Sequence, residues 1–347
     1  MKRAISLILS FLILTSVFTG CSQNSNTHTT TAPAVNQTST AANNTQNQTL
    51  DLYEFEKLAN TVKVTDTTVT FKDNSGNEVT LNKNPQKVMI LINSFADIWY
   101  QSGGDVIARV ESTDNLPEAY IDKPSVGNMS SLNTELIVSM QPDLVVISHD
   151  SDTDLVSLLK QNNITCVNLD YNSFSDYLYI LKIFTSLNGR DDLYTKNGTD
   201  LLTQINEIIA KTSSQKSPSV LLLFASSKSV KVRLESTATG EMLKHLGCTN
   251  VAQVGNISES EAQTFSMERI VQQNPDFIFV QTMGDLEAIE KRLKSDVESN
   301  PAWSALDAVK NGKYIVLEKE LYHYKPNTRY AEAYEKLAKI LYPDLFN

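Results

Sequence analysis

Hydrophobic and polar positions change rhythm several times along the chain, and each change predicts a different kind of element. Residues 4–17 (AISLILSFLILTSV) are mostly apolar and follow Lys2 and Arg3. Residues 22–50 are the reverse, a Ser, Thr, Asn, Gln and Ala tract without any Lys, Arg, Asp or Glu. Such a tract has nothing with which to build a core and reads as a flexible tether. Residues 68–81 (TVTFKDNSGNEVTL) alternate on both sides of Asn74-Ser75-Gly76-Asn77, which predicts a β-hairpin. From Lys87 onward, short apolar runs alternate with helix-period segments. Strands are predicted over 87–92, 106–110, 143–148 and 165–169, and helices over 94–102, 132–140, 153–162 and 174–187. Apolar positions at Leu193, Leu201, Leu202, Ile205, Ile208 and Ile209 predict one helix over 191–211, with Gly198 as its weak point. The alternation then restarts, with strands over 219–224, 276–280 and 313–317 and helices over 240–246, 266–273, 285–296 and 329–341. Continuous apolar strands of this kind belong to parallel sheets covered on both faces.

A weak internal repeat organises these elements. LNTELIVSMQPDLVVIS (132–148) aligns with FSMERIVQQNPDFIFVQ (265–281) on the Pro-Asp pair. In that register Glu135 matches Glu268, and Ile137-Val138 matches Ile270-Val271. Two similar α/β lobes joined near the middle make a natural cleft.

Composition narrows the function classes. Of 347 residues, 41% are hydrophobic and 20% charged, which excludes disorder for the bulk of the chain. The formal charge of −10, with no long basic cluster, argues against nucleic-acid binding. Cys21, Cys166 and Cys248 are too few for a disulfide scaffold. A Cys166–Cys248 bond would lock the lobes, so free thiols are expected. The histidines (His28, His149, His245, His323) form no three-His pattern for a dedicated metal site, and no bare zinc or manganese is expected. The motifs G-x-S-x-G, H-E-x-x-H and G-x-x-x-x-G-K-[ST] are missing, so the reading is of a protein that is not an enzyme.

Residues 4–17 are too short for a permanent membrane helix. With Lys2 and Arg3 ahead they read as a signal peptide, residues 1–20. Phe18-Thr19-Gly20-Cys21 resembles the bacterial lipobox, with Phe18 where Leu is commonest. This implies a lipidated Cys21 and a tether over 21–50, holding the folded part at the extracytoplasmic face of a cell membrane. The remaining boundaries are a lead-in segment with the hairpin over 51–84, an N-terminal lobe over 85–190, a bridge over 191–213 and a C-terminal lobe over 214–347.

Several stretches carry a family resemblance: NPQKVMIL from Asn84, SVGNMSSLNTELIVSMQPDLVVIS from Ser125, TGEMLKHLGCTNVA from Thr239, FSMERIVQQNPDFIFV from Phe265, NPAWSALDAVKNGKYIVL from Asn300, and YAEAYEKLAKILYPD near the end. Together they resemble the substrate-binding lipoproteins of bacterial ABC transporters, in the group serving iron–siderophore, haem and cobalamin uptake. The resemblance implies an α/β fold of two Rossmann-like lobes with a central ligand cleft, bridged by one long helix. It implies that Glu135 and Glu268, one per lobe, dock on a dimeric ABC permease coupled to a cytoplasmic ATPase, and that the protein is a monomer. It implies a bound ligand rather than a cofactor: a ferric siderophore first, haem or a cobalamin-like corrinoid as alternatives. Adhesion or signalling at the cell surface is the competing class.

Ligands of paired α/β lobes sit beyond the C-terminal ends of strands. The candidates there are Phe95, Trp99 and Tyr100 after the first strand, His149 after the strand over 143–148, Arg233 with Lys231 in the alternating SVKVRLES, and Tyr322, His323 and Tyr324 after the last strand. The aromatic rings would stack on a flat organic ligand, Arg233 would meet an anionic group, and Tyr322, His323 or His149 would suit haem iron. Trp303 and Arg329 are read as structural.

Overall fold

The computed structural model describes residues 52–148, 153–253 and 267–346. The leader, Cys21, the tether and His149 lie outside the described residues. The lead-in carries α1 (Leu52–Glu56) and an antiparallel sheet of β1 (Lys63–Val64), β2 (Thr68–Lys72) and β3 (Glu78–Asn82). The expected hairpin pairs Thr68 with Asn82 and Phe71 with Val79, and Gly76 takes the left-handed φ of +82° that its turn requires.

The first lobe follows with β4 (Val88–Ile90), α2 (Asn93–Gln101), the short ribbon β5 (Gly127–Asn128) and β6 (Ser131–Leu132), α3 (Thr134–Ser139), β7 (Leu144–Ser148), α4 (Thr153–Gln161), β8 (Thr165–Leu169) and α5 (Phe174–Leu187). Its sheet runs β4-β7-β8, all parallel. The strand expected over 106–110 does not form as such. Only single bridges link Met89 to Ala108 and Arg109 to Ser125. The backbone of Arg109 and Glu111 bonds instead with Pro124, Val126 and Gly127, and the Arg109 guanidinium donates to the carbonyls of Val110, Glu111 and Ile121.

The bridge is helical from Asp191 to Thr212: α6 (Asp191–Tyr194), a π turn (Thr195–Thr199) and α7 (Asp200–Thr212). The weak point at Gly198 is where the π turn falls. A Cβ there would stand 3.2 Å from Leu181 and 3.3 Å from Leu178, so the missing side chain lets the bridge press on α5. The Tyr177 hydroxyl donates to the Asn197 carbonyl at 2.8 Å, satisfying a group that the π turn displaces.

The second lobe holds β9 (Ser219–Ser226), β10 (Val230–Val232), α8 (Ala238–His245), β11 (Thr249–Asn250), α9 (Met267–Gln273), β12 (Phe277–Met283), α10 (Leu286–Leu293), α11 (Asp307–Lys310), β13 (Tyr314–Val316), α12 (Lys319–Tyr322) and α13 (Tyr330–Leu341). Its sheet runs β10-β9-β12-β13, with β11 on the edge of β9 beside β10.

The sequence repeat has a structural basis. Gln141 and Asn274, each just before the proline, have φ of 48° and 41°. The following aspartates do the same work. Asp143 accepts from the N–H groups of Gln86 and Lys87 just ahead of β4, and Asp276 accepts from the N–H and hydroxyl of Ser219 at the start of β9. Each Pro-Asp thus ties the start of one strand to that of its parallel neighbour. The helices ahead bury Ile137 and Ile270 at matched positions.

Strand alternation divides the core three ways. Val88, Ile90, Leu144 and Val146 face one way, and Met89, Leu91, Val145 and Ile147 the other. In the second lobe Val220, Leu222, Phe277 and Phe279 alternate likewise with Leu221, Leu223, Ile278 and Val280. The first set from each lobe joins one shared cluster with α5, α7 and α13, through Tyr177, Phe184, Leu202, Tyr330 and Tyr334. The result is a bilobed α/β fold whose linking helices bury one face of both sheets.

Candidate functional site

The C-terminal ends of the first-lobe strands lead into three polar segments. Asn93 and Ser94 open α2 straight after β4. Ser112, Asp114 and Asn115 follow the edge segment, with Asn115 in a left-handed conformation (φ 57°). Met129 sits at the tip of the β5–β6 ribbon and is half exposed. That ribbon needs Gly127, whose φ is +96° and whose Cβ would stand 2.8 Å from the Ser131 carbonyl oxygen. From the second lobe comes His323-Tyr324-Lys325, directly after α12. These residues, with Ile92 and Val110, enclose a cavity of about 250 Å³ between the lobes.

Buried anchors hold the second-lobe segment in place. The Gln281 amide donates to the Tyr322 carbonyl and to the Thr239 hydroxyl, and the Tyr322 hydroxyl donates to the Ala333 carbonyl at 2.9 Å. Lys325 and Asn327 both adopt positive φ, 78° and 49°, which turns the chain toward the first lobe. There the Asn327 amide donates to the Ser94 carbonyl at 2.9 Å and to Asp97 at 2.7 Å. The Tyr324 hydroxyl donates to Asp114 at 2.7 Å, and the Asn115 amide to the Lys325 carbonyl at 3.2 Å. Elsewhere between the lobes, Glu241 of α8 accepts the Phe174 N–H at the start of α5, at 2.8 Å.

The second-lobe wall is basic and aromatic. The Arg233 guanidinium lies 4.6 Å from the Phe224 ring centre, and that ring lies 5.7 Å from His323. The Lys319 amine lies 4.7 Å from the Tyr324 ring, and the Lys325 amine 5.0 Å from the Tyr171 ring. Burial pushes the His323 imidazole down to about 4, helped by Lys319, Lys325 and Arg233 and opposed by Asp114. It is therefore neutral near pH 7 and offers a lone pair. Burial also lowers the Lys325 amine to about 8, against Asp176, Asp170 and Glu241, which favour its charge.

The structure sorts the candidate residues. His323 and Tyr324 line the cavity, and Arg233 stands beside them over Phe224. Phe95, Trp99 and Tyr322 are corrected: they are core residues with no free face for a ligand. Phe95 and Trp99 are each 1% exposed, and the Trp99 indole donates to the Asp105 carbonyl and packs edge-on against Phe184. Tyr322 is 6% exposed and serves as the anchor described above. Tyr100 is exposed but sits against Tyr120 at the far end of α2, away from the cavity lining. The reason is geometric. Only the first turn of α2 reaches the strand ends, and the rest runs back along the sheet.

Glu135 and Glu268 are both exposed and lie in the first turns of the equivalent helices α3 and α9. Cys166 and Cys248 are free. Trp303 packs edge-on against Tyr314, and Arg329 pairs with Glu332, as structural residues. Among the described residues no cluster of three or more His, Cys, Asp or Glu side chains could hold a metal ion. Sequence reasoning missed Asp114, Asn115 and Met129. The one available signal was position, since 112–115 follow an edge segment of the first sheet.

Comparison with known proteins agrees with this layout. The family described as periplasmic binding protein matches residues 88–321. The chain is 29% identical over 289 residues to the uncharacterized ABC transporter substrate-binding lipoprotein YvrC of Bacillus subtilis, covering 80% of this chain and 87% of YvrC. It is 26% identical over 249 residues to the Fe(3+)-citrate-binding protein YfmC of the same organism, covering 68% and 74%. The crystal structure of Staphylococcus aureus IsdE complexed with heme superposes with a TM-score of 0.64 at 22% identity, over 74% of this chain and 98% of that one. Bilobed fold, inter-lobe cavity and family match converge: the chain belongs to the periplasmic binding protein family, as the non-catalytic, extracytoplasmic substrate-binding lipoprotein of an ABC importer.

Proposed function

We propose that the protein captures an anionic ferric siderophore between its lobes and hands it to a dimeric membrane permease powered by a separate ATPase. One observation carries the reading: a cavity between the lobes walled by Tyr324, His323 and Lys325, with Arg233 and Lys319 stacked on the neighbouring Phe224 and Tyr324 rings. Basic groups would meet chelate oxygens, and the rings would bury its organic part. The relative YfmC, named for binding Fe(3+)-citrate, supports a ferric chelate as cargo. The cavity of about 250 Å³ lies below the usual range for small-molecule sites, roughly 300–1,000 Å³, so a bulkier cargo projects beyond it or parts the lobes. Because α5, α7 and α13 share one core with both sheets, that parting should be small.

Haem is the second reading. Met129 and the neutral His323 both line the cavity, and haem iron accepts a thioether and an imidazole. The similarity to IsdE, named for heme uptake, supports it. Glu135 and Glu268 are the proposed permease contacts, one per lobe, and the working unit is a monomer. The deciding experiment titrates residues 51–347 with ferric citrate, a ferric tris-catecholate, hemin and cyanocobalamin, followed by native mass spectrometry and absorption. Binding of a ferric chelate that weakens on Arg233→Ala supports the first reading. A shifted Soret band lost on His323→Ala supports the second. Binding of neither class overturns both.

A further inference from the structure

Two different kinds of hydrogen bond join the lobes. One kind is buried and leaves the cavity lining largely untouched: Asn327 to Asp97, and the Phe174 N–H to Glu241. The other kind joins the cavity walls themselves: the Tyr324 hydroxyl to Asp114, and the Asn115 amide to the Lys325 carbonyl. Asp114, Asn115, Tyr324 and Lys325 all line the cavity, so a ligand too bulky for the space between them must separate them. Asp114 is also the one carboxylate among the described lining residues, and Lys319, stacked on the Tyr324 ring, lies close enough to interact with it. It is exposed, so the bond to Tyr324 can break without stranding a buried charge.

We propose that the Asp114 carboxylate is a built-in competitor for the cargo: it occupies Tyr324 and latches the lobes across the cavity, and an oxyanion of the entering ligand takes its place. This deepens the proposed function and rests on the ligand binding in this cavity. The latch itself requires no knowledge of the cargo. Ligands without an oxyanion at this point cannot replace Asp114 at Tyr324 and meet a carboxylate with no return. Asp114 thereby lowers the affinity of any ligand that must open the latch, and an oxyanion seated on Tyr324 recovers part of that loss.

The test separates the latch from the cargo. Spin labels are placed at Glu118→Cys and Glu287→Cys, exposed positions in the two lobes, with Cys166→Ser and the buried Cys248 left in place. Pulsed dipolar distances without ligand should lengthen or broaden in both Asp114→Ala and Tyr324→Phe. Thermal melts confirm that each variant is folded. Affinity should then separate the two variants. Asp114→Ala should bind an anionic ferric tris-catecholate about tenfold more tightly, the scale of one charge-assisted hydrogen bond, and Tyr324→Phe about as tightly as wild type, because it loses the latch and the ligand's bond together. For the cationic ferric complex of desferrioxamine B, Asp114→Ala should show no such gain. Unchanged distances in Asp114→Ala overturn the latch. Equal weakening of all ligands by both variants overturns the competition and makes Asp114 an ordinary contact. If no variant binds any probe, the cargo reading falls, and the distances alone decide the latch.

Discussion

Glu241 offers a test of how the lobes are held, through pH. Its carboxylate, on α8, accepts the Phe174 N–H at the start of α5 at 2.8 Å. Burial raises its pKa from 4.5 to about 7. Asp176 adds to the rise, and the Phe174 N–H, Lys244 and Lys325 oppose it. The folded protein therefore holds this proton more tightly than the unfolded chain. The stability it contributes is complete below about pH 4.5 and is lost as pH climbs through about 7. A displacement of that size corresponds to at most about 3 kcal/mol. Glu241→Gln keeps a carbonyl oxygen for the Phe174 N–H but never ionises. Its stability relative to wild type should rise between about pH 5 and pH 8, approaching that figure. Wild type alone would not reveal this. Burial lowers His245 and His323 to about 4, and their contribution is lost as pH falls from 6.5 through about 4. That trend opposes Glu241 in the same window, and subtracting wild type from variant removes it. The assay is urea unfolding of residues 51–347 at about pH 5, 6.5 and 8. Parallel wild-type and variant curves would refute the buried, ionisable tie between the lobes.

Other expectations follow from packing and surface charge. Trp99→Phe removes the indole bond to Asp105 and some ring volume from a fully buried site, so denaturant titration should show a loss of about 2–3 kcal/mol, with ligand affinity unchanged. Gly104→Ala places a Cβ 2.2 Å from the Trp99 ring, and overpacking of that kind costs about 1–3 kcal/mol, read by the same titration. The double variant Glu135→Ala, Glu268→Ala should bind ligand normally and fail to support uptake in cells, and normal uptake would remove the docking role.

The chain's punctuation made most elements legible. Residues 165–169 and 174–187 fall where predicted because a strand that buries Val167 and Leu169 in alternation, the Ser173/Asp176 capping box and Asn188-Gly189 leave little choice. The Pro-Asp repeat exposed two related lobes because it does a local job, tying neighbouring strand starts in each. The segment over 106–110 misled because an apolar run shows only that a segment is buried. Whether it pairs along its length depends on neighbours such as the Ile121 and Ser125 backbone.

The site was less legible, for a physical reason. An aromatic residue just past a strand end can enter the cleft or turn back onto the sheet, and the choice depends on how the helix is rotated about its axis. Phe95 and Trp99 turned inward, and Tyr322 became an anchor. Asp114 and Tyr324 are 210 positions apart and meet only once both lobes have folded. No local pattern marks such a pair, since the bond joins segments from different lobes. What the sequence determined by itself was therefore what short-range physics controls: strand and helix positions, caps, turns and the two-lobed repeat. Tertiary structure decided which side chains face one another across the gap, because that depends on long-range packing and on the shared core that sets the lobes face to face.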